Sequence, residues 1–382
     1  MGRLERVIIS GGGTGGHIHP ALAIADEIKK RYPDCQINFV GAKGRMEMDK
    51  VPSAGYNIDG LWISGLKRKL TSVKNLSFPL KLLSSLLKAG SLLRKYKPQV
   101  VIGVGGFASG PVLFRASRKG IPTLIQEQNS FPGITNRILA SKVSKVCAGF
   151  PGLSRWFPKE KIVETGNPLR EGVLNLVSGG DKKSGAKHFK LSDSKPIVFI
   201  MGGSLGAASM NKAVRSMVES MVEKGEADYS IIWQCGDRYF TENSNWLNDI
   251  ASNHSWVSDY VKCLGFIDRM NLAYSSADLI ASRAGAMSIS ELSLVAKPTI
   301  LIPSPHVAED HQTKNALSLV DRNAAIMIKD SEVVDALEGQ ISSVLENEGA
   351  TKAMCAELRK AARPEACKVI VDEIEKLILD KS

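Results

Sequence analysis

The sequence predicts an α/β protein made of two doubly wound parallel-sheet halves facing a cleft. Three observations lead there. Near the N-terminus an apolar run, Val7-Ile8-Ile9-Ser10, meets the loop Gly11-Gly12-Gly13-Thr14-Gly15-Gly16-His17, and a helix follows through Ala21-Leu22-Ala23-Ile24-Ala25. Far down the chain the pattern returns: Ile197-Val198-Phe199-Ile200-Met201, then Gly202-Gly203-Ser204-Leu205-Gly206, then a helix from about Ala208. Around both loops, apolar strands alternate with helical patterns, which is the signature of a parallel sheet covered on both faces. A strand, glycine loop and helix in series aim backbone N–H groups and a positive helix end at whatever lies above them. Two such units suit transfer between two phosphorylated partners better than chemistry on one.

The first half places strands near 6–10, 36–40, 58–62, 99–104, 122–125 and 145–148, and helices near 18–32, 79–96, 109–119 and 133–142. The helix from 79 opens with Pro79, which suits a first helical position. The second half places strands near 196–201, 229–233, 261–265, 278–281 and 298–302, and helices near 207–224, 268–275, 286–296 and 309–321. Glycine and proline between 149 and 168 suit a hinge, and the polar stretch 178–195 reads as a mobile loop. A last helix over 365–379 packs back across the junction. The expected domains are 1–164 with a C-terminal helix at about 365–382, and 165–364.

The 382 residues suffice for two domains, and 43% hydrophobic content gives each a core. Six scattered cysteines with no CxxC pair read as reduced and cytosolic. Met1–Arg6 is too short and polar for a signal peptide, and no run of eighteen apolar residues spans a bilayer. The net charge of +11 is unevenly placed: residues 60–126 hold twelve Lys or Arg, among them Lys67, Arg68, Lys69, Lys74 and Lys97, and no acid. Such a stretch attracts a polyanion, either nucleic acid or an acidic membrane surface. Aromatic residues for stacking bases are sparse there. Leu80, Leu82, Leu83, Leu86, Leu87, Leu92 and Leu93 recur at helical spacing instead, and Lys81, Lys88 and Lys95 share one face. A basic, leucine-rich amphipathic helix reads as membrane-surface binding, each cation adding about 1 kcal/mol near an anionic leaflet. The plainer alternative is a core helix with a solvated lysine edge.

The loops carry the chemistry. Gly11-x-Gly13-x-x-Gly16 matches a dinucleotide fingerprint, but Val40-Gly41-Ala42-Lys43 at the end of the second strand offers no acid for a ribose, which counts against NAD; no cofactor is expected. His17 at the helix start can face a substrate hydroxyl as a base, whereas His19 caps or packs. The glycines of 103–111 allow close backbone approach and suit a second diphosphate. Gln126-Glu127-Gln128-Asn129 follows a buried strand at the edge where ligands bind; Glu127 takes a proton, positions a hydroxyl, or caps the helix near Ser130. In the second half Ser204 can donate to phosphate, and Glu291 either holds ribose hydroxyls or complements its helix dipole. Residues 309–315 offer neutral groups for sugar hydroxyls. No Asp-x-Asp occurs, so no metal is expected, and helix ends with Arg170 would neutralise the phosphates.

In order, GGTGGH (12–17), GGFASGP (105–111), EQN (127–129), GNPLR (166–170), GGSLGA (202–207), RAGAMSISE (283–291) and HQTKNA (311–316) resemble the MurG family of peptidoglycan glycosyltransferases, the lipid I N-acetylglucosaminyltransferases. The resemblance covers about residues 6–320. It implies a GT-B fold of two Rossmann-like domains, a first domain for acceptor and membrane and a second for UDP-GlcNAc. It implies that Phe266 and Ile267 contact uracil and that Glu291 holds the ribose. Ser204, Arg170 and the N–H groups near Ala286 and Met287 would hold the diphosphate, with Ser288, Ile289 and Ser290 on the same helix start. Gln312, Asn315 and Asn129 would read sugar hydroxyls, and Thr14, Gly15 and Gly16 would meet the donor from the opposite wall. Gly13, Gly105, Gly106, Ser109 and Gly110 would take the acceptor diphosphate.

The implied reaction is inverting: the C4 hydroxyl of an undecaprenyl-diphospho-N-acetylmuramoyl peptide attacks the anomeric carbon of UDP-GlcNAc. His17 is the first candidate base and Glu127 the second, and the sequence does not separate them. The implied location is the cytoplasmic face of the bacterial membrane, held peripherally, with cell-wall synthesis proteins as possible partners. Three other readings stand beside it: a related transferase acting on diacylglycerol, an epimerase of UDP-GlcNAc, and a nucleic-acid binder. The last leaves the phosphate loops and Glu291 unexplained, so no nucleic acid is expected.

Overall fold

The computed structural model describes residues 3–65, 77–169, 171–174, 181–203 and 205–379. The chain forms two compact units, Met1–Arg170 with Arg363–Ser382, and Glu171–Ala362.

The first unit runs β1 (Arg6–Ser10), α1 (Gly15–Arg31), β2 (Gln36–Ala42), α2 (Glu47–Ser53), β3 (Asn57–Leu61), α3 (Phe78–Tyr96), β4 (Val100–Gly103), α4 (Ser109–Arg118), β5 (Thr123–Glu127), α5 (Ile134–Leu139), β6 (Lys145–Ala148) and β7 (Ile162–Glu164). Its strands are parallel in the order β3-β2-β1-β4-β5-β6-β7. Alternation along β1 explains the two covered faces. Val7 and Ile9 join a core with Ile24 and Ile28 of α1. Ile8 points the other way, into a core with Leu92 and Leu93 of α3 and Leu113 of α4. The C-terminal helix Ala366–Leu379 completes this unit: Ile370, Val371 and Ile374 enter the first core. Burying them is worth roughly 1.5–3 kcal/mol each. Arg31 fixes the helix with bonds to Asp372 (2.6 Å) and Glu375 (3.1 Å).

The second unit runs α6 (Glu171–Leu174), α7 (Lys182–Phe189), β8 (Ile197–Met201), α8 (Ala208–Lys224), β9 (Ser230–Gln234), α9 (Asp237–Asn253), β10 (Val261–Leu264), α10 (Met270–Ser276), β11 (Leu279–Ser282), α11 (Ala286–Val295), β12 (Thr299–Leu301), α12 (His311–Val320), β13 (Ile326–Met327), α13 (Val333–Glu346) and α14 (Glu348–Ala361). Its sheet is also parallel, in the order β10-β9-β8-β11-β12-β13. Val198 and Ile200 pack on Met210, Val214 and Met217 of α8 and on Leu337 and Ile341 of α13.

The structure adds α2, α9, α13, α14 and the short strands β7 and β13 to the elements expected from the sequence, and it turns part of an expected loop into a helix. Residues 182–189, taken above as part of a mobile loop, form α7. Asp181 caps it by accepting from Lys183 N and Ser184 N. Ala186 and Phe189 are buried, and Gly185 lies against Leu272 O and Ser276 of α10, where a Cβ would come within 2.5 Å of that carbonyl. Of the expected loop 178–195, residues 190–195 have no helix or strand, and 178–180 lie outside the described residues. No helix among the described residues is long and apolar enough to cross a membrane.

Candidate active site

In each sheet the strand order reverses once, between β1 and β4 in the first unit and between β8 and β11 in the second. Crevices outside the strand ends at such points are where parallel sheets bind ligands. Four of the glycine-bearing loops sit there: 11–16 and 104–106 in the first unit, and 202–203 with 205–206 and 283–285 in the second.

In the first unit the two loops pack backbone to backbone. A Cβ on Gly106 would lie 2.4 Å from Gly12 O, and one on Gly11 would lie 2.2 Å from Val104. Gly105 and Gly106 have φ near +90° and +83°, the left-handed region that glycine alone occupies without strain. His17, the third residue of α1, lies between the loops. Its Nδ1 is 3.1 Å from Gly12 O and 3.2 Å from Thr14 Oγ1. A carbonyl only accepts, so the Gly12 contact requires a proton on Nδ1 and makes Nε2 the basic nitrogen. Nε2 lies beside the Gly105 backbone, where a Cβ would approach within 2.9 Å. Thr14, Gly15 and Gly16 line the same loop at the surface, and the Thr14 carbonyl accepts from His17 N (3.1 Å) and Ile18 N (3.2 Å), which starts α1.

Glu127, the second candidate base, does something else. It is fully buried, and Oε1 accepts from Asn129 N (3.0 Å) and Asn129 Nδ2 (3.3 Å). Oε2 accepts from Gly133 N (3.1 Å) and Asn136 Nδ2 (2.8 Å). Burial pushes its carboxyl upward, and these donors pull against that shift. Four donors on two oxygens leave no lone pair for a substrate proton. Glu127 is therefore the clamp that shapes 129–133 and starts α5, and Asn129 is one of the groups it holds. Nearby, Gln126, Gln128 and Asn167 form a buried amide network: Gln126 donates to Asn167 Oδ1, and Asn167 donates to Gln128 O.

The acceptor-diphosphate set divides. Gly105, Gly106 and Gly110 supply close backbone approach, but Ser109 is buried and its hydroxyl donates to Gly106 O (2.9 Å), closing the loop on itself. The Gly13 N–H is committed to Glu47 Oε2 (2.9 Å), so it is not offered to an acceptor phosphate. Glu47 was not singled out from the sequence.

In the second unit the glycine loop is held by a neutral side chain. Gly203 N donates to Gln234 Oε1 (3.2 Å), and Gln234 Nε2 donates back to Gly203 O (3.3 Å). A neutral clamp leaves the positive field of the loop and of α8 undiminished for an anion. Ser204 and Arg170 lie outside the described residues. Glu291, in the second turn of α11, is buried, and its Oε2 accepts from the phenol of Tyr274 (2.9 Å). Tyr274 itself is fully buried, with its ring edge-on to Phe199 at 5.8 Å. Gly285 caps α11 with its backbone, leaving the N–H groups at Ala286, Met287 and Ser288 at the helix mouth. Ile289 packs in the core, and Ser290 Oγ donates to Ala286 O (3.0 Å). Phe266 is 54% exposed after β10, a bare aromatic face, while Ile267 is buried beneath it. On α12, Gln312 Oε1 accepts from Ser304 N (2.8 Å), which fixes the orientation of its amide; Asn315, one turn on, is fully buried. Arg283 braces the loop from behind, paired with Asp330 (2.5 Å) and donating to Ile302 O (3.1 Å).

Two parallel-sheet units with a glycine loop at each switch point, an imidazole on one and a helix-borne carboxylate beside an exposed aromatic on the other, are the parts of a nucleotide-sugar glycosyltransferase. Residues 7–148 match the glycosyltransferase family 28 N-terminal domain, and residues 197–370 match the C-terminal domain. A Christiangramia forsetii protein named UDP-N-acetylglucosamine--N-acetylmuramyl-(pentapeptide) pyrophosphoryl-undecaprenol N-acetylglucosamine transferase is 49% identical over 376 residues, 98% of each chain. A Flavobacterium psychrophilum protein of the same name is 47% identical over 98% of each chain. The crystal structure of Acinetobacter baumannii MurG aligns with a TM-score of 0.76 at 29% identity, over 97% of this chain and 99% of that one. The chain belongs to glycosyltransferase family 28 and, within it, to the MurG family.

Proposed function

We infer that this chain transfers N-acetylglucosamine from UDP-GlcNAc to the C4 hydroxyl of undecaprenyl-diphospho-N-acetylmuramoyl peptide, lipid I, giving lipid II for peptidoglycan. The observation that carries the reading is 49% identity to a named transferase across 98% of both chains, spanning both glycine-loop units. In one displacement the acceptor oxygen bonds to the anomeric carbon as the bond from that carbon to the UDP oxygen breaks. The hydroxyl proton passes to His17 Nε2, and UDP leaves with the electron pair, inverting the carbon. The second-unit glycine loop, the mouth of α11 and Arg170 stabilise the departing diphosphate. Glu291 holds the ribose and Phe266 covers the uracil. Incubation with UDP-GlcNAc and a short-chain lipid I analogue is expected to give a β-1,4-linked disaccharide product by mass spectrometry. Glucosaminyl diacylglycerol formed instead, or epimerised UDP-sugar without acceptor, would overturn the reading.

The acceptor's prenyl tail stays in the leaflet, so the first unit needs a surface anchor. Leu80, Leu83 and Leu87 of α3 are 65%, 56% and 64% exposed on one face. Ile134 and Ile138 of α5 are exposed as well. The lysines flank this face rather than form it: Lys81 donates to Ser64 Oγ (3.1 Å) beside Trp62, and Lys88 lies 3.9 Å from Asp59. Lys67, Arg68, Lys69 and Lys74 lie outside the described residues. The anchor is thus apolar at its centre and cationic at its border, as an interfacial helix requires. Replacing Leu80, Leu83 and Leu87 together by serine is expected to weaken binding to anionic vesicles roughly 10²-fold, at about 1 kcal/mol per half-inserted leucine. Turnover in detergent should be unchanged. Vesicle binding that ignores the triple change, salt and lipid charge alike would refute the anchor.

A further inference from the structure

Glu47 is a buried carboxylate that the reaction outlined above does not use. It stands in the first turn of α2 and is 1% exposed. Oε1 accepts from Ala42 N at the end of β2 (3.0 Å), and Oε2 accepts from Gly13 N (2.9 Å). Two missing side chains make room for it. A Cβ on Gly12 would lie 2.2 Å from Glu47 Oε1, and a Cβ on Gly41 would lie 2.6 Å from Glu47 Cγ.

The amide that Glu47 grips belongs to the same peptide group as the carbonyl that His17 touches. Gly13 N–H and Gly12 C=O are the two ends of one planar unit, and in a trans peptide they point in opposite directions. Gly13 N–H points to Glu47, and Gly12 O lies 3.1 Å from His17 Nδ1. A carboxylate on the N–H end draws the peptide dipole into line and makes the carbonyl a stronger acceptor, because hydrogen bonds in series polarise one another. The strength of that carbonyl matters because Nδ1 has a second neighbour. Thr14 Oγ1, at 3.2 Å, can donate to a bare Nδ1 and so favours the opposite tautomer. The peptide and the hydroxyl compete for the same ring atom, and Glu47 tips the contest to the carbonyl.

We propose that Glu47 is a positioning residue for the transfer reaction: through the Gly12–Gly13 peptide it holds His17 in the Nδ1–H tautomer, with Nε2 unprotonated and facing the acceptor. The proposal rests on the reading of His17 as the base. It places a peptide group between acid and imidazole, where hydrolytic triads join the two directly. It also explains an anionic clamp on a loop whose counterpart in the second unit has the neutral Gln234. The first loop is built to orient a base, and the second to receive a diphosphate.

The test uses the full chain labelled with ¹⁵N-histidine, with the His17 signals identified by their loss in His17→Ala. Long-range ¹H–¹⁵N spectra at a pH where the ring is neutral read the tautomer directly. The unaltered protein is expected to show His17 mainly as Nδ1–H, against the usual preference of imidazole for Nε2–H. Glu47→Gln should move the population toward Nε2–H and lower kcat about tenfold or more, with KM for UDP-GlcNAc within about twofold. Glu47→Asp, which keeps the charge, should recover part of both. Finding His17 as Nε2–H in the unaltered protein overturns the proposal without any variant, so misfolding of Glu47→Gln cannot shelter it. An inactive His17→Ala beside a Glu47→Gln protein with parental tautomer and kcat overturns the proposal alone. A fully active His17→Ala overturns the base reading, and the catalytic use of Glu47 with it.

Discussion

Replacing His17 by alanine is expected to lower kcat by roughly 10²- to 10⁴-fold, the usual contribution of a positioned base. KM for UDP-GlcNAc should stay within about twofold, because the groups assigned to the uracil and the ribose, Phe266, Ile267 and Glu291, sit on the other unit. The expectation follows from what each candidate's lone pairs are doing. Nδ1 of His17 is turned to Gly12 O, which makes Nε2 the basic nitrogen beside Gly105. Glu127 has four N–H donors on its two oxygens. Glu127→Gln should therefore act through the fold. A carboxamide presents an NH₂ to two of those donors, and the cost of burying unmatched donors is about 1–3 kcal/mol each. Thermal unfolding and steady-state rates together separate the cases: a large fall in melting temperature for Glu127→Gln, and a fall in kcat without one for His17→Ala. Near-parental turnover by His17→Ala would assign the proton to water.

The architecture was legible because parallel strands buried on both faces read as unbroken apolar runs, and Val7-Ile8-Ile9 and Ile197-Val198-Phe199-Ile200 are fully buried in the structure. The glycine loops were legible because their spacing reflects backbone that must come close to something. What they come close to was not. A dinucleotide site calls for an acid at the end of β2 that faces a ribose, and 40–43 offer none. The acid stands at Glu47, in a helix the sequence reading did not include, and it faces inward to the loop. Its one sequence signal was the pair of bare positions, Gly12 and Gly41, that form its pocket. Tyr274 and Gln234 were missed for a similar reason: each acts on another side chain or loop, and no motif marks residues that only orient others. Glu127 stayed open between base and helix cap, because a polar residue after a buried strand looks the same whether it turns to ligand or to its own loop. The α7 helix was hidden by a polar composition that Asp181 capping and Gly185 packing override. The leucines after Pro79 were seen as one set, but the structure splits them: Leu92 and Leu93 go to the core, and Leu80, Leu83 and Leu87 face out.

Replacing Glu291 by alanine is expected to lower kcat/KM for UDP-GlcNAc by roughly 10²-fold, the loss of two hydrogen bonds from ribose hydroxyls to a charged acceptor at about 1.5 kcal/mol each. The geometry adds a finer test. Tyr274 donates to Oε2 at 2.9 Å, which fixes the carboxylate plane, and under the ribose assignment proposed above the same carboxylate accepts from the diol. Glu291→Gln keeps shape and volume, but one of its two terminal atoms becomes a donor. If the carboxamide keeps its oxygen on Tyr274, its NH₂ meets a ribose hydroxyl; if it flips, the NH₂ meets the phenol. Either way one acceptor is lost, so an effect of about tenfold is expected for Glu291→Gln, between those of the parent and of alanine. Tyr274→Phe removes the support without touching the ligand and should cost less than Glu291→Gln, seen as a weaker UDP affinity in calorimetry with kcat nearly kept. The order alanine, glutamine, then Tyr274→Phe is the signature of a carboxylate that binds and a phenol that aims it. If Glu291 served only the dipole of α11, the ligand would not notice the change: all three variants would bind UDP alike and differ in melting temperature alone.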